Sequence, residues 1–202
     1  MEKVLMAFIK SALEIAMERT ENIKIDPEAV KLDKLLKEGR KFASEYLFTV
    51  NFEKGDPGIK LNNYSGESKK VFSEGLVKTF LSNIILPKND DFEDFLKKIE
   101  SGLCDISKNK KDIAVMIEQI KQFFLQYLEN RKQLIEAVKQ QYAPKLMQKQ
   151  QEMAAQYGHE VTLSPEQDPE FMEILKSNLL KMETQYNESL IGAKGELEKI
   201  LS

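Results

Sequence analysis

Residues 109–157 read NKKDIAVMIEQIKQFFLQYLENRKQLIEAVKQQYAPKLMQKQQEMAAQY, a run with no Gly and a single Pro. Ile113, Ile117, Ile120, Phe124, Tyr127, Leu134 and Val138 recur at alternating steps of four and three, and only Arg131 interrupts them. That spacing lays one apolar seam along an α-helix. Met116, Phe123, Leu128 and Ile135 widen the seam, so the helix is expected to touch more than one neighbour. Pro144 removes an amide donor and crowds the preceding turn, which predicts a kink. At 1.5 Å per residue the helix would reach ~70 Å, longer than a compact domain of this size is wide.

Gly158-His159 stops this helix, and Ser164-Pro165-Glu166-Gln167 and Asp168-Pro169-Glu170 each offer a start for another. The new seam is Met172, Leu175, Leu179, Met182, Tyr186, Ala193, Leu197 and Ile200, with Ser189 and Glu196 at its weak positions. Residues 110–157 carry eight Lys/Arg against five Asp/Glu (net +3), whereas residues 158–202 carry four Lys against nine Asp/Glu (net −5). Opposite charge favours pairing of these two helices over like with like. A connection of about ten residues, long for a helical hairpin, still implies antiparallel neighbours. Residues 109–202 therefore read as a long antiparallel, coiled-coil-like helical hairpin, and residues 1–108 as a helical body on which it packs.

Within that body, residues 2–20 read as a helix with Leu5, Phe8, Ile9, Ala12, Leu13 and Ala16 on one face. Asp26-Pro27 opens another, with Leu32, Leu35, Leu36, Phe42, Ala43, Tyr46 and Leu47 as its stripe. Gly39 falls on that stripe, which suggests close approach of a second helix, with a kink as the alternative. From 48 to 64 the period changes. Phe48, Val50 and Phe52 alternate with polar residues, as do Ile59 and Leu61, around the turn-rich Gly55-Asp56-Pro57-Gly58. This predicts a small β-hairpin near 48–64; the competing reading ends the helix near Val50 and continues as an irregular loop. A helix from Glu67 to Leu86 is closed by Pro87. Asp90 and Glu93 have capping-box spacing for a short helix ending at Gly102. The fold class is mainly α.

Composition supports this and narrows function. Hydrophobic content of 42% suffices for a core, and 31% charged residues suit long solvated helices. A net charge of −3 offers no basic footprint for nucleic acid or for an anionic membrane. No stretch approaches the ~18 apolar residues of a membrane span, and the N-terminus lacks a signal-like apolar run. The reading is a cytoplasmic protein. His159 is the only histidine, which excludes His-pair metal sites; it reads as a solvated residue of the hairpin turn, with a lone general base as the alternative. Cys104, the only cysteine, reads as a small buried apolar group rather than a nucleophile. Asp90, Asp91, Glu93 and Asp94 complement a helix N-terminus and lack calcium-loop spacing. Lys108, Lys110 and Lys111 form a basic run without interleaved aromatics, as at a solvated junction. No phosphate loop, dinucleotide fingerprint or nucleophile elbow occurs in the chain. No catalytic, cofactor or metal residue is assigned.

The most suggestive stretch lies beyond Pro144. Gln140, Gln141, Gln148, Gln150, Gln151 and Gln156 are interleaved there with Leu146, Met147, Met153 and Tyr157, and Tyr142 precedes them. Adaptable Met and Tyr beside neutral amides suit a protein contact. Tyr142, Leu146, Met147, Met153 and Tyr157 are the candidate partner-binding residues; a weakly packed helix end is the plainer reading. The function expected is non-enzymatic contact with a protein partner or a second copy of the chain, without a cofactor. The alternatives are a helical chaperone or adaptor using this Gln/Met-rich tip, and an enzyme with a carboxylate or Cys site in the N-terminal body.

The opening Ile9-Lys10-Ser11-Ala12-Leu13-Glu14-Ile15-Ala16-Met17-Glu18-Arg19-Thr20 resembles the start of a family of uncharacterised bacterial proteins. The block Phe80-Leu81-Ser82-Asn83-Ile84-Ile85-Leu86-Pro87-Lys88-Asn89 is similar to a second shared segment. The resemblance implies a bacterial cytoplasmic protein and brings no assigned activity.

Overall fold

The computed structural model describes residues 26–50 and 52–201. The helix expected over residues 2–20 lies outside them. Every regular element among the described residues is helical: α1 (Pro27–Phe48), α2 (Pro57–Leu61), α3 (Gly66–Ser82), α4 (Glu93–Ile106), α5 (Lys110–Tyr157) and α6 (Pro169–Leu201), with 3-10 turns at Asp90–Phe92 and Pro165–Gln167.

α1 starts where Asp26-Pro27 predicts. Asp26 Oδ1 accepts from the Glu28 amide at 2.9 Å, which satisfies one of the free donors of the first turn. α1 and α3 pack together through Gly39 and Gly75. A Cβ on Gly39 would sit 2.4 Å from the Phe72 carbonyl, and one on Gly75 would sit 2.4 Å from the Leu36 carbonyl. The close approach read from Gly39 is the observed arrangement. Around this contact Phe42, Phe72, Leu76 and Phe80 form a core with Leu96, Ile99 and Leu103 of α4.

The β-hairpin expected near 48–64 is replaced by helix and loop. α1 ends at Phe48, with the Thr49 amide bonded to Glu45 O at 2.9 Å, and α2 opens at Pro57. The alternation that suggested strands does not sort the side chains into an inner and an outer face. Phe48 and Val50 are 62% and 84% exposed, and Phe52 alone of the three turns inward, 5.3 Å from the Phe42 ring and 5.7 Å from that of Tyr46. Asp56-Pro57 works as a helix start, so its turn chemistry closes no hairpin.

Two boundaries also differ from expectation. α3 ends at Ser82, and Ile84–Pro87 follow without regular structure. α4 runs on through Gly102 to Ile106, because Gly102 packs under Phe80: a Cβ there would lie 2.6 Å from Phe80 Cζ.

α5 has 48 residues and continues unbroken through Pro144. It ends at Gly158, whose φ of 72° is the left-handed conformation that Gly adopts freely. α6 has 33 residues. Contacts between the two run in opposite senses along the chain. Asn109 Nδ2 meets Ile200 O at 2.8 Å, Asn130 Nδ2 meets Tyr186 Oη at 2.6 Å, and Tyr142 Oη meets Asp168 Oδ2 at 2.7 Å. Most buried side chains along the pair fall into two groups, and Tyr127, 3% exposed, lies between them. Ile113, Ile117, Ile120, Phe124, Leu190 and Leu197 join the core of α1, α3 and α4. Val138, Tyr142, Leu146 and Phe171 form a separate cluster at the far end, flanked by Leu134, Leu163 and Leu175.

Candidate interaction surface

The far end of the pair is built on the turn between the long helices. The Ser164 amide bonds to Gln167 Oε1 at 2.9 Å, and the Gln167 amide to Ser164 O at 3.1 Å, which closes the 3-10 turn. Asp168 then starts α6: its Oδ1 accepts from the Glu170 amide at 3.0 Å. Both starts read from the sequence are used, one after the other. Gln150 Nε2 holds the turn to α5 through Leu163 O at 2.8 Å.

Asp168 is 3% exposed, so its charge needs partners. Oδ2 accepts from Tyr142 Oη at 2.7 Å and from Lys149 Nζ at 2.7 Å. The Lys149 ammonium also donates to Tyr142 Oη at 2.9 Å and Glu170 Oε2 at 3.0 Å, which occupies its three N–H groups. Lys145 pairs with the other Glu170 oxygen, and Lys139 with Glu166 at 2.9 Å. Lys149, followed by the Tyr142 hydroxyl, holds the Asp168 carboxyl down at about 2. Asp168 in turn holds the Lys149 ammonium well above its ordinary value, and burial pushes the Tyr142 phenol up. These ionic links between α5 and the start of α6 place part of the opposite net charges in direct contact.

The candidate partner-binding residues divide between inside and outside. Tyr142 and Leu146 are buried, 5% and 9% exposed, in the cluster with Phe171; the two rings lie 5.4 Å apart. Met153 is half-buried. Met147 and Tyr157 are 62% and 58% exposed. The hydrogen-bonded Asp168 group has no motif of its own. Its one signal is Asp168-Pro169 placed to receive a Lys and a Tyr from a facing helix, and that depends on pairing across 19 and 26 residues. His159 is exposed in the turn, with Nδ1 3.1 Å from Tyr157 O. Cys104 is half-buried, and burial pushes its thiol up. Asp90 and Asp91 lie in the first 3-10 turn, and Glu93 pairs with Lys121 at 2.7 Å. Lys108, Lys110 and Lys111 are exposed.

Among the described residues no three His, Cys, Asp or Glu side chains are grouped to hold a metal ion, and no helix is long and apolar enough to cross a membrane. No curated protein and no solved structure matches the chain. A model of a family of unknown function (DUF6657) matches residues 59–199, which includes the Phe80–Asn89 block and runs through both long helices. By that match over more than half its length, the chain belongs to this family of unknown function.

Proposed function

We propose that the protein is a non-enzymatic, cytoplasmic contact protein that presents the far end of its helical hairpin to a protein partner. The observation that carries this reading is the exposure of Met147 and Tyr157 on an end whose other groups bond to one another. With Asp168, Lys149 and Tyr142 committed to each other, this end satisfies its buried charge internally. It offers two large apolar side chains among neutral amides rather than a reactive group.

Site-specific photocrosslinking in the source cells tests this. A photoreactive residue at Met147 or at Tyr157 is expected to trap one recurrent protein. The same residue at Val115, which is 59% exposed on α5 near the body, is expected to trap none. Identical adducts from all three positions, or no adduct from the distal two, would overturn the reading. An adduct with the chain itself would make the partner a second copy.

The second reading, a chaperone or adaptor, is favoured by the flexible Met147 and Met153 beside Gln148, Gln150, Gln151 and Gln156. It predicts many adducts of differing mass from the distal positions, where the first predicts one.

A further inference from the structure

Segment Ile84–Asn89, between α3 and the 3-10 turn, runs between two clefts at the body end of the hairpin. On one side is a polar cleft of about 400 Å³ whose side chains include Lys88, Tyr127, Arg131, Glu183 and Asn187. On the other is an apolar cleft of about 290 Å³ with Phe92, Phe95, Leu96 and Phe124 in its walls. Ile85, Leu86, Pro87 and Lys88 line both.

Arg131 is the residue that breaks the apolar seam of α5, and its place in this cleft gives the break a role. A half-buried guanidinium needs acceptors for its fixed fork of N–H groups. Its neighbour in the cleft is the hydroxyl of Tyr127, one turn earlier on α5. That hydroxyl is 3.4 Å from Glu183 Oε1, so the Glu183 carboxylate is engaged from the tyrosine side. Neither Lys88 nor Arg131 forms an ion pair among the described residues. Two cations therefore face one carboxylate in the polar cleft. The apolar cleft beside it is edged by Ile85, which is 65% exposed. The main-chain amides of Ile85 and Leu86, between the two, donate no hydrogen bond to any described residue.

We infer that the Ile84–Asn89 segment and its two clefts form a docking surface for an acidic, apolar peptide segment of a partner protein. A carboxylate of that segment sits on Arg131 and Lys88, and a bulky aliphatic or aromatic side chain enters the cleft walled by Phe92 and Phe95. Arg is suited to this because it receives a carboxylate with two parallel bonds. The charge imbalance selects the occupant: a neutral apolar segment would leave Arg131 without the anion the cleft is arranged to take. The surface is about 40 Å along α5 from Tyr157, so it stands or falls apart from the distal reading.

A phage-displayed random linear peptide library, panned on the full chain, tests it. The expected clones carry Asp or Glu close to Leu, Phe or Trp. Fluorescence anisotropy of a recovered peptide should show binding weakened roughly tenfold or more by Arg131→Gln or by Lys88→Gln, and weakened by added salt. Replacing the peptide carboxylate by its amide should have the same effect. Ile85→Ser, at an exposed rim that the fold does not need, should weaken binding by removing apolar contact alone. Lys88→Gln and Ile85→Ser alter exposed residues, so a loss of folding in the Arg131 variant leaves the test intact. No enrichment, enrichment of peptides lacking a carboxylate, or equal affinity for wild type and variants would overturn the proposal. So would light scattering that shows a dimer dissolved by Lys88→Gln, which would assign the surface to a second copy.

Discussion

At Gly39 and Gly75 the α1 and α3 backbones touch, and the atoms in the way of a methyl group are main-chain carbonyls that cannot swing aside. Gly39→Ala must push the helices apart along the core that holds Phe42, Phe72 and Leu76. Overpacking of this kind costs about 1–3 kcal/mol. Gly192→Ala is the matched control, since nothing lies within 4 Å of its added Cβ and helix propensity favours Ala by up to ~1 kcal/mol. Urea unfolding should show the first variant less stable and the second equal or more stable. Asp168 makes a second case, readable by pH. Its folded carboxyl titrates near about 2, below the ordinary value, because Lys149 and Tyr142 favour the anion. A depressed carboxyl stabilises the fold above its unfolded pKa of about 3.9. That stability drains away as pH falls from there through the folded value. Lys149 behaves oppositely: its contribution is complete below its ordinary pKa and is lost only at strongly alkaline pH. Thermal melts should therefore show an acid limb between roughly pH 4 and 2 that is blunted in Asp168→Asn. Asn keeps the cap to the Glu170 amide and removes the charge, so Asp168→Ala should fall further at neutral pH.

Among the elements, the long helices were legible because their period is sustained. Seven seam positions of α5 recur at helical spacing, and a run that long has no competing reading as strand. The 48–64 segment failed for the opposite reason: a few alternating residues, with turn chemistry that helices also use. Asp-Pro occurs at 26–27, 56–57 and 168–169, and in the structure each pair precedes a helix. Reading the middle pair as a hairpin turn missed the rule that the other two obeyed. Tyr142 and Leu146 fall on the continued seam of α5, yet the glutamines around them suggested a surface. Burial came from Phe171, whose register against α5 is set by the intervening turn and is invisible in either helix alone. Pro144 shows what the helix tolerates, for α5 passes through it without interruption. It still leaves a carbonyl in the preceding turn without its usual donor. Pro144→Ala should restore that bond and raise stability by about 1–3 kcal/mol, because Pro is ~3 kcal/mol worse than Ala inside a helix. Differential scanning calorimetry would check it, and an unchanged or lower melting temperature would mean that the proline geometry is needed for packing.

For the molecule as a whole, what matters is that the long pair is held at both ends and differently between. The body end shares the main core through Ile113, Ile117, Ile120, Phe124, Leu190 and Leu197, whereas the distal cluster consists of Val138, Tyr142, Leu146 and Phe171. Between them the helices meet through the buried Tyr127, whose ring lies 5.1 Å from that of Tyr186, and through Asn130, beside an open groove lined by Gln133, Leu134, Asn178 and Met182. This middle stretch buries one large side chain where the body end buries six, so it resists separation less. The distal end should therefore open as a unit while the body stays folded, which is the usual behaviour of weakly coupled segments. Phe171 is the most deeply buried side chain of the distal cluster. Phe171→Ala should cost about 3–5 kcal/mol locally. Phe72→Ala, in the main core, should lower the stability of the whole molecule by a like amount. Amide hydrogen exchange separates the two outcomes. Phe171→Ala should speed exchange from about Val138 to Leu175 and leave α1, α3 and α4 protected, whereas Phe72→Ala should speed exchange everywhere. If Phe171→Ala loosened the body equally, the two clusters would be one cooperative core. The distal surface could then not act as a contact that yields or tightens independently of the fold beneath it.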